Sequence, residues 1–216
     1  RSLTVLMEDG RIERVVSGTD AGIGVRLLFR GKTYYAYTND RSAESLLALS
    51  NDLSRYAEGD GVAAALPASA RSARGPTVVR VPPAARGIGE KVALVREVDR
   101  IARGFSREVR QVRATWSESL RRIEVAANPG VFVREEQTYC VLAVQAVAGD
   151  GGGLTMGYES AGGTEGLEFL DGGVPELLAL KAAGRAVRAL RAAKLPGGRM
   201  PVVLSSEAGG TMVHEA

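Results

Sequence analysis

Residues 108–160 read EVRQVRATWSESLRRIEVAANPGVFVREEQTYCVLAVQAVAGDGGGLTMGYES, and this stretch decides the fold class. Val112, Ala114 and Trp116 alternate, and Ile123 and Val125 alternate after them. Period-two alternation marks a strand with one face in a core and the other in water. Asn128-Pro129-Gly130 is a turn, and Val131–Val147 is long enough for one bent strand or two. The glycine-rich run from Gly149 to Gly153 leads into Leu154–Tyr158. A glycine loop that cradles phosphate is followed by Lys-Ser/Thr and a helix. Here strand-like sequence flanks both sides, so the run reads as a hairpin. The whole stretch is an antiparallel meander.

Working outward, residues 2–38 also read as β. Ser2–Met7 alternates, Glu8-Asp9-Gly10 is a hairpin turn, and Ile12–Val16 is the return strand. Gly22–Phe29 and Thr33–Tyr37 repeat the pattern around Arg30-Gly31-Lys32. A helix is expected from about 41 to 57, with Ser42 and Ser45 as capping chemistry and Leu46, Leu47, Leu49 and Leu53 on its apolar side. Residues 62–73 are a short helix or loop, and 74–87, with Pro82-Pro83, is a connector. Gly89–Ser106 is an amphipathic helix with Leu94, Val98, Ile101 and Phe105 inward. Gly162–Gly173 reads as a glycine-rich loop. A third helix covers 174–193, with Pro175 in its first turn and Leu177, Leu180, Val187 and Leu190 toward the core. Pro201–Leu204 reads as a last short strand. The expected fold is α+β: antiparallel strands within 2–38 and 108–160 form one or more sheets, with about three helices over a face.

Composition narrows the function classes. The chain has 216 residues, 45% hydrophobic and 25% charged, the balance of an ordinary globular protein. It contains no apolar run long enough for a membrane-spanning helix. Cys140 is its one cysteine, so no internal disulfide forms; His214 is its one histidine, so no multi-histidine metal site is complete within it. The net charge of +3 is too mild to imply a nucleic-acid partner, although arginine supplies most of the basic side. Arg96, Arg100, Arg103 and Arg107 form a stripe on the second helix, diluted by Glu90, Glu97, Asp99 and Glu108. That stripe reads as a solvated face. The first residues, RSLTVLMEDG, lack the apolar segment of an export signal, and with the lone cysteine they suggest the cytoplasm. The chain opens on Arg1 and directly in a strand pattern, which reads as a segment of a longer protein.

Chemistry concentrates at the last three residues, His214-Glu215-Ala216. A His-Glu pair opens the zinc metalloprotease motifs, in which the histidine binds metal and the glutamate accepts a proton from water. Alone the dipeptide carries little weight, but its setting adds to it. LRAAKLPGGRMPVVLSSEAGGTMVHEA places Pro196-Gly197, Pro201-Val202-Val203-Leu204, Ala208-Gly209 and His214-Glu215-Ala216 in one order. Near the start, Asp9-Gly10-Arg11, Ser17-Gly18, Gly22-Ile23-Gly24-Val25-Arg26 and Ala36 through Asn39-Asp40 form a second group; Val125-Ala126-Ala127-Asn128 with Gly130 is a third.

Together these residues resemble the TldD/PmbA family, first named modulators of DNA gyrase and read as zinc-dependent peptidases. Pro129 stands where the family usually has Ser. The resemblance implies a TldD/PmbA N-terminal-domain-like α+β fold over 1–200, with one further helix ahead of the first strand. Residues 201–216 would then begin the segment carrying HExxxH. It implies His214 as a zinc ligand and Glu215 as the general base, with the second histidine near position 219 and the third ligand from a C-terminal domain. Spacing of i, i+5 sets two histidines about 140° apart on a regular helix, so convergence on one metal needs a distortion. As drawn, the chain is expected to hold no zinc and to cleave nothing, while the full protein would be a peptidase acting on unfolded or extended peptides. The His-Glu pair makes the chain TldD-like rather than PmbA-like. The implied partners are a peptide substrate and either a second copy or a PmbA/TldE-like subunit, with no membrane and no nucleic acid. The competing reading is a non-catalytic module for dimerisation or partner docking.

Overall fold

The structure, a computed structural model, describes residues 1–57, 71–72, 78–128, 130–193 and 196–216. The expected short helix or loop at 62–73 lies almost wholly outside them. Strand β1 (Ser2–Glu8) turns through Asp9 and Gly10 into β2 (Arg11–Gly18). Both turn residues have positive φ, 48° and 76°, the tight two-residue geometry that suits the twist of paired strands. Strands β3 (Ile23–Phe29) and β4 (Lys32–Thr38) repeat the device at Arg30 and Gly31, with φ of 49° and 73°. They form a separate two-stranded sheet. Helix α1 (Ala43–Ser54) packs on it. The Ser42 hydroxyl accepts from the Ser45 N–H at 3.1 Å, and Asp40 accepts from the Ser42 N–H at 2.9 Å. The Tyr34 and Tyr56 rings stack at 4.9 Å.

The main sheet is built on the meander. After the two-residue strand β5 (Arg71–Ser72) come helix α2 (Ile88–Gly104), then β6 (Val109–Ala127), β7 (Val131–Gly149) and β8 (Leu154–Gly163). The order is β2-β1-β6-β7; β8 pairs antiparallel with the C-terminal half of β7, and β5 pairs in parallel with its N-terminal part. Val131–Gly149 is thus one continuous strand. Val5 stands opposite Trp116, and Trp116 opposite Leu142. This register puts Val5, Val112, Trp116, Leu142 and Val144 on one face, all fully buried. Each such aliphatic side chain contributes about 1.5–3 kcal/mol by leaving water.

Two helices cover that face: α2 and α3 (Val174–Leu190). Their inward sides differ from the sequence expectation. On α2 the buried positions are Lys91, Val95, Val98, Asp99 and Ala102, while Leu94 and Ile101 are only partly buried and Phe105 is exposed. The helix is rotated so that Lys91 reaches an acidic partner in the sheet. On α3 the core side is Leu178, Ala179, Ala182, Ala183, Ala186 and Val187. Leu177 is 48% exposed and Leu180 38%. The reason is close approach. A Cβ at Gly157 would overlap the Ala182 carbonyl, and Thr155 Oγ1 donates to the Ala186 carbonyl at 2.7 Å. At that separation alanine fits between helix and sheet where leucine does not.

The arginine stripe on α2 is taken up in part by ion pairs. Arg100 binds Glu97, and Arg103 bridges Asp99 and Asp9. Residues 164–173 differ from the expected loop. Leu167–Gly173 winds into 3-10 geometry that is broken at Asp171 and Gly172, with Leu167, Glu168 and Leu170 buried. Glu168 accepts from the backbone N–H groups of Arg80 and Val81 at 3.0 and 2.9 Å, and the Leu167 N–H donates to the Val81 carbonyl at 2.7 Å. Burial pushes the Glu168 carboxyl up, but these N–H groups outweigh it and hold it at about 2. The proline-rich connector is thereby stitched to the turn before α3.

Candidate functional site

Residues 201–204, expected as a last short strand, form no regular element and pair with no strand among the described residues. Val203 is 99% exposed. Helix α4 (Ser206–Glu215) follows, an element with no counterpart in the sequence expectation. The Ser205 hydroxyl accepts from the Ala208 N–H at 3.4 Å, and the Ser205 carbonyl accepts from the Gly209 N–H at 2.7 Å. This start forms the helix despite Gly209-Gly210, each of which costs about 1 kcal/mol relative to alanine. His214 and Glu215 sit in its last turn, both exposed. As consecutive residues they point about 100° apart.

Among the described residues, no group of three or more His, Cys, Asp or Glu side chains could hold a metal ion. The His214 imidazole is a suitable zinc donor, but a catalytic zinc takes about three protein ligands. The donor set described here therefore falls short. Cys140 cannot extend it. The thiol is fully buried beneath the helices, and burial together with the negative charge of Glu118 pushes it up to about 12. A buried thiol whose pKa is raised in this way is a poor nucleophile and a poor metal ligand.

Sequence reasoning missed a polar network in the core. Lys91 Nζ donates to Glu118 Oε1 at 2.7 Å, and Trp116 Nε1 donates to Glu118 Oε2 at 2.8 Å. Lys91 is 4% exposed. The signal was available: Glu118 continues the inward alternation of Val112, Ala114 and Trp116. A carboxylate at an inward position demands a buried cation, and α2 supplies it.

A family model described as the PmbA/TldA metallopeptidase central domain matches residues 81–190, just over half of the chain. The chain belongs to the TldD/PmbA family. The model for the family's metallopeptidase domain 1 matches residues 1–57. In this TldD/PmbA chain the two matched segments are not separate bodies: β1, in the first, pairs along β6, in the second. A metalloprotease of Methanothermobacter thermautotrophicus is 32% identical over the whole chain, which covers 47% of that protein. A structure described as a modulator of a DNA gyrase from Thermotoga maritima superposes with a TM-score of 0.66 at 15% identity, over 92% of this chain and 44% of that one. TldE from Thermococcus kodakarensis superposes at 0.58 and 14% identity, over 88% and 42%. These two likenesses establish the TldD/PmbA-type α+β fold. The chain spans about half the length of the curated relatives it matches. No helix among its described residues is long and apolar enough to cross a membrane.

Proposed function

We propose that this chain is the N-terminal part of a TldD-like zinc metallopeptidase that cleaves unfolded or extended peptides. The observation that carries the reading is the placement of His214-Glu215. The pair ends an exposed helix that follows the packed sheet and its covering helices, and the chain belongs to a family whose matched domains are described as metallopeptidase domains. In this reading residues 1–200 are the scaffold and 201–216 lead into the metal motif. His214 supplies one zinc ligand, with the others outside these residues. A bound zinc ion supplies Lewis acidity, lowering the pKa of water to about 7. Glu215 accepts the proton of the attacking water at its carboxylate.

The sheet supplies a place for peptide. β1 pairs with β6 only as far as Ser119, and Leu120 exchanges hydrogen bonds with Arg1. From Arg121 to Ala127 the edge of β6 away from β7 has no partner strand among the described residues. An extended peptide adding there is held by its backbone rather than its side chains, which suits broad specificity. The outer face of the sheet, with Tyr139, Met156 and Tyr158 exposed, supports pairing with a second copy or a PmbA/TldE-like subunit in the cytoplasm.

The test is hydrolysis of an unfolded peptide by the full natural protein. Glu215→Gln is expected to lower kcat by at least about 100-fold while the protein stays folded. Unchanged hydrolysis in that variant contradicts the assignment of Glu215.

A further inference from the structure

We propose that the free edge of β6 pairs with the same edge of a second copy of this chain, in one register centred on Ile123. The edge begins where β1 ends. Arg1 and Leu120 exchange both backbone hydrogen bonds, at 3.0 and 2.8 Å, and beyond them no strand lies on that side among the described residues. On the other side the ladder to β7 is regular from Gln111 to Ala127. Neither a bulge nor a proline interrupts the edge from Arg121 to Ala127, so it lacks the backbone devices that keep edge strands apart. It does carry charge, but of both signs: Arg121, Arg122 and Glu124.

Backbone phase restricts the register. Leu120 bonds outward, so alternation turns the N–H and C=O groups of Arg122, Glu124 and Ala126 toward the same free edge. Antiparallel strands match such outward residues with one another, so a two-fold axis passes through a residue and not between two. An axis through Ile123 sets Arg122 opposite Glu124 of the partner subunit, and Glu124 opposite Arg122 of the partner subunit. An axis through Arg121, Arg122 or Glu124 sets that residue opposite its own like charge, which is destabilising. An axis through Val125 avoids the clash but leaves both charges unmatched across the seam.

Charge complementarity names the occupant. Within one chain Arg122 pairs with Glu136 and Arg134 with Glu124, each at 2.7 Å and exposed. In the register through Ile123 the row across the joined sheet reads Arg134, Glu124, Arg122, Glu136, with the sign alternating at every step. On the opposite face Ile123 meets its own counterpart, and Arg121 lies opposite Val125. The edge is thus complementary to itself, as a two-fold contact requires. A seam of this length is at the small end of protein interfaces, so the association is weak. An extended peptide and a second copy exclude one another here, and copies that pair close the edge to peptide. That consequence rests on the reading of the edge as a place for peptide; the pairing itself does not.

The test is sedimentation of this chain from about 10 µM to about 1 mM, where a reversible monomer–dimer equilibrium with a Kd of about 100 µM is expected. Ile123→Lys brings two ammonium groups together at the axis, while within one chain the lysine stands opposite Glu135. It is expected to weaken the dimer by about ten-fold with circular dichroism unchanged. Glu124→Pro removes an outward N–H without touching the ladder to β7, and a similar loss is expected. Ile123→Cys reads the register, because directly opposite residues of this kind have Cα atoms about 4.5 Å apart, within disulfide range. Cys140 is buried, so the new thiol is expected to cross-link on oxidation about ten-fold faster than that of Arg121→Cys, which stands opposite Val125. The proposal is overturned by a chain that stays monomeric to about 1 mM, which leaves the edge to a peptide. It is equally overturned by wild-type dimerisation in both folded variants, which moves the contact to the outer sheet face, or by equal cross-linking at positions 121 and 123. None of these readouts uses hydrolysis, so failure here is distinct from failure of the peptidase reading.

Discussion

The meander of β6, β7 and β8 and the segment from Pro201 to Glu215 use similar apolar residues to opposite ends. In the meander, Val112, Trp116, Leu142 and Val144 are fully buried, and the inward carboxylates are held by cations on the covering helices, Glu118 by Lys91 (with Trp116) and Glu159 by Arg185. In the C-terminal segment Val202, Val203, Met212 and Val213 are exposed, and His214 and Glu215 have no cluster of potential metal ligands around them. The first region is satisfied by contacts within the described residues and is therefore scaffold. The second is not, and it carries His214 and Glu215, the residues proposed as metal ligand and general base. Packing alone separates the part that holds the shape from the part to which the proposal assigns the reaction.

Substitutions sharpen this contrast. Trp116 is fully buried and stacks on Phe169 at 5.9 Å. Trp116→Ala is expected to destabilise the fold by about 4 kcal/mol, read by urea denaturation. A loss below about 1 kcal/mol would break the picture of a tightly packed meander. Glu118→Leu leaves the Lys91 ammonium buried without a partner, and a loss of about 3 kcal/mol is expected. Replacing Lys91 by Met in the same protein should recover most of it, because the desolvated charge is then gone; no recovery would remove the ion pair from the account.

Glu168 provides a pH test. Its folded carboxyl is held at about 2, below its ordinary value of 4.5. A depressed acid stabilises fully above the ordinary value and loses that contribution as pH falls from about 4.5 toward about 2. Glu168→Gln is expected to cost about 1–2 kcal/mol at pH 7 and to flatten the acid side of the stability profile. An unchanged acid slope would remove Glu168 from that role. At the small end, Val203→Ser and His214→Ala should each alter stability by less than about 0.5 kcal/mol. A larger loss in either would mean that the C-terminal segment is part of the scaffold after all.

Features written in neighbouring residues were legible in the sequence. The Asp9-Gly10 turn, the Ser42 cap and the strands of the meander depend on spacing within a few positions, and the structure has them all. Features set by tertiary distance were not. The period of α3 picks out leucines, but its closeness to Gly157 selects Ala182 and Ala186 for the core side. The alternation of β6 puts Glu118 inward and so calls for a cation, but Lys91 lies 27 positions away on a helix, and no local pattern says which cation answers. Helix α4 was hidden by Gly209-Gly210, and Pro201–Leu204 looked like a strand because a strand pattern does not reveal whether a partner exists. His214 and Glu215 were visible as a motif; their exposure and their distance from other ligand types were not.

The zinc content of the full natural protein, set beside that of His214→Ala, bears most directly on the role assigned to the C-terminal segment. About one zinc per chain, lost in the variant with the fold intact, is the predicted result. Absence of zinc from the metal-replete wild-type protein, or full retention in His214→Ala, would contradict it.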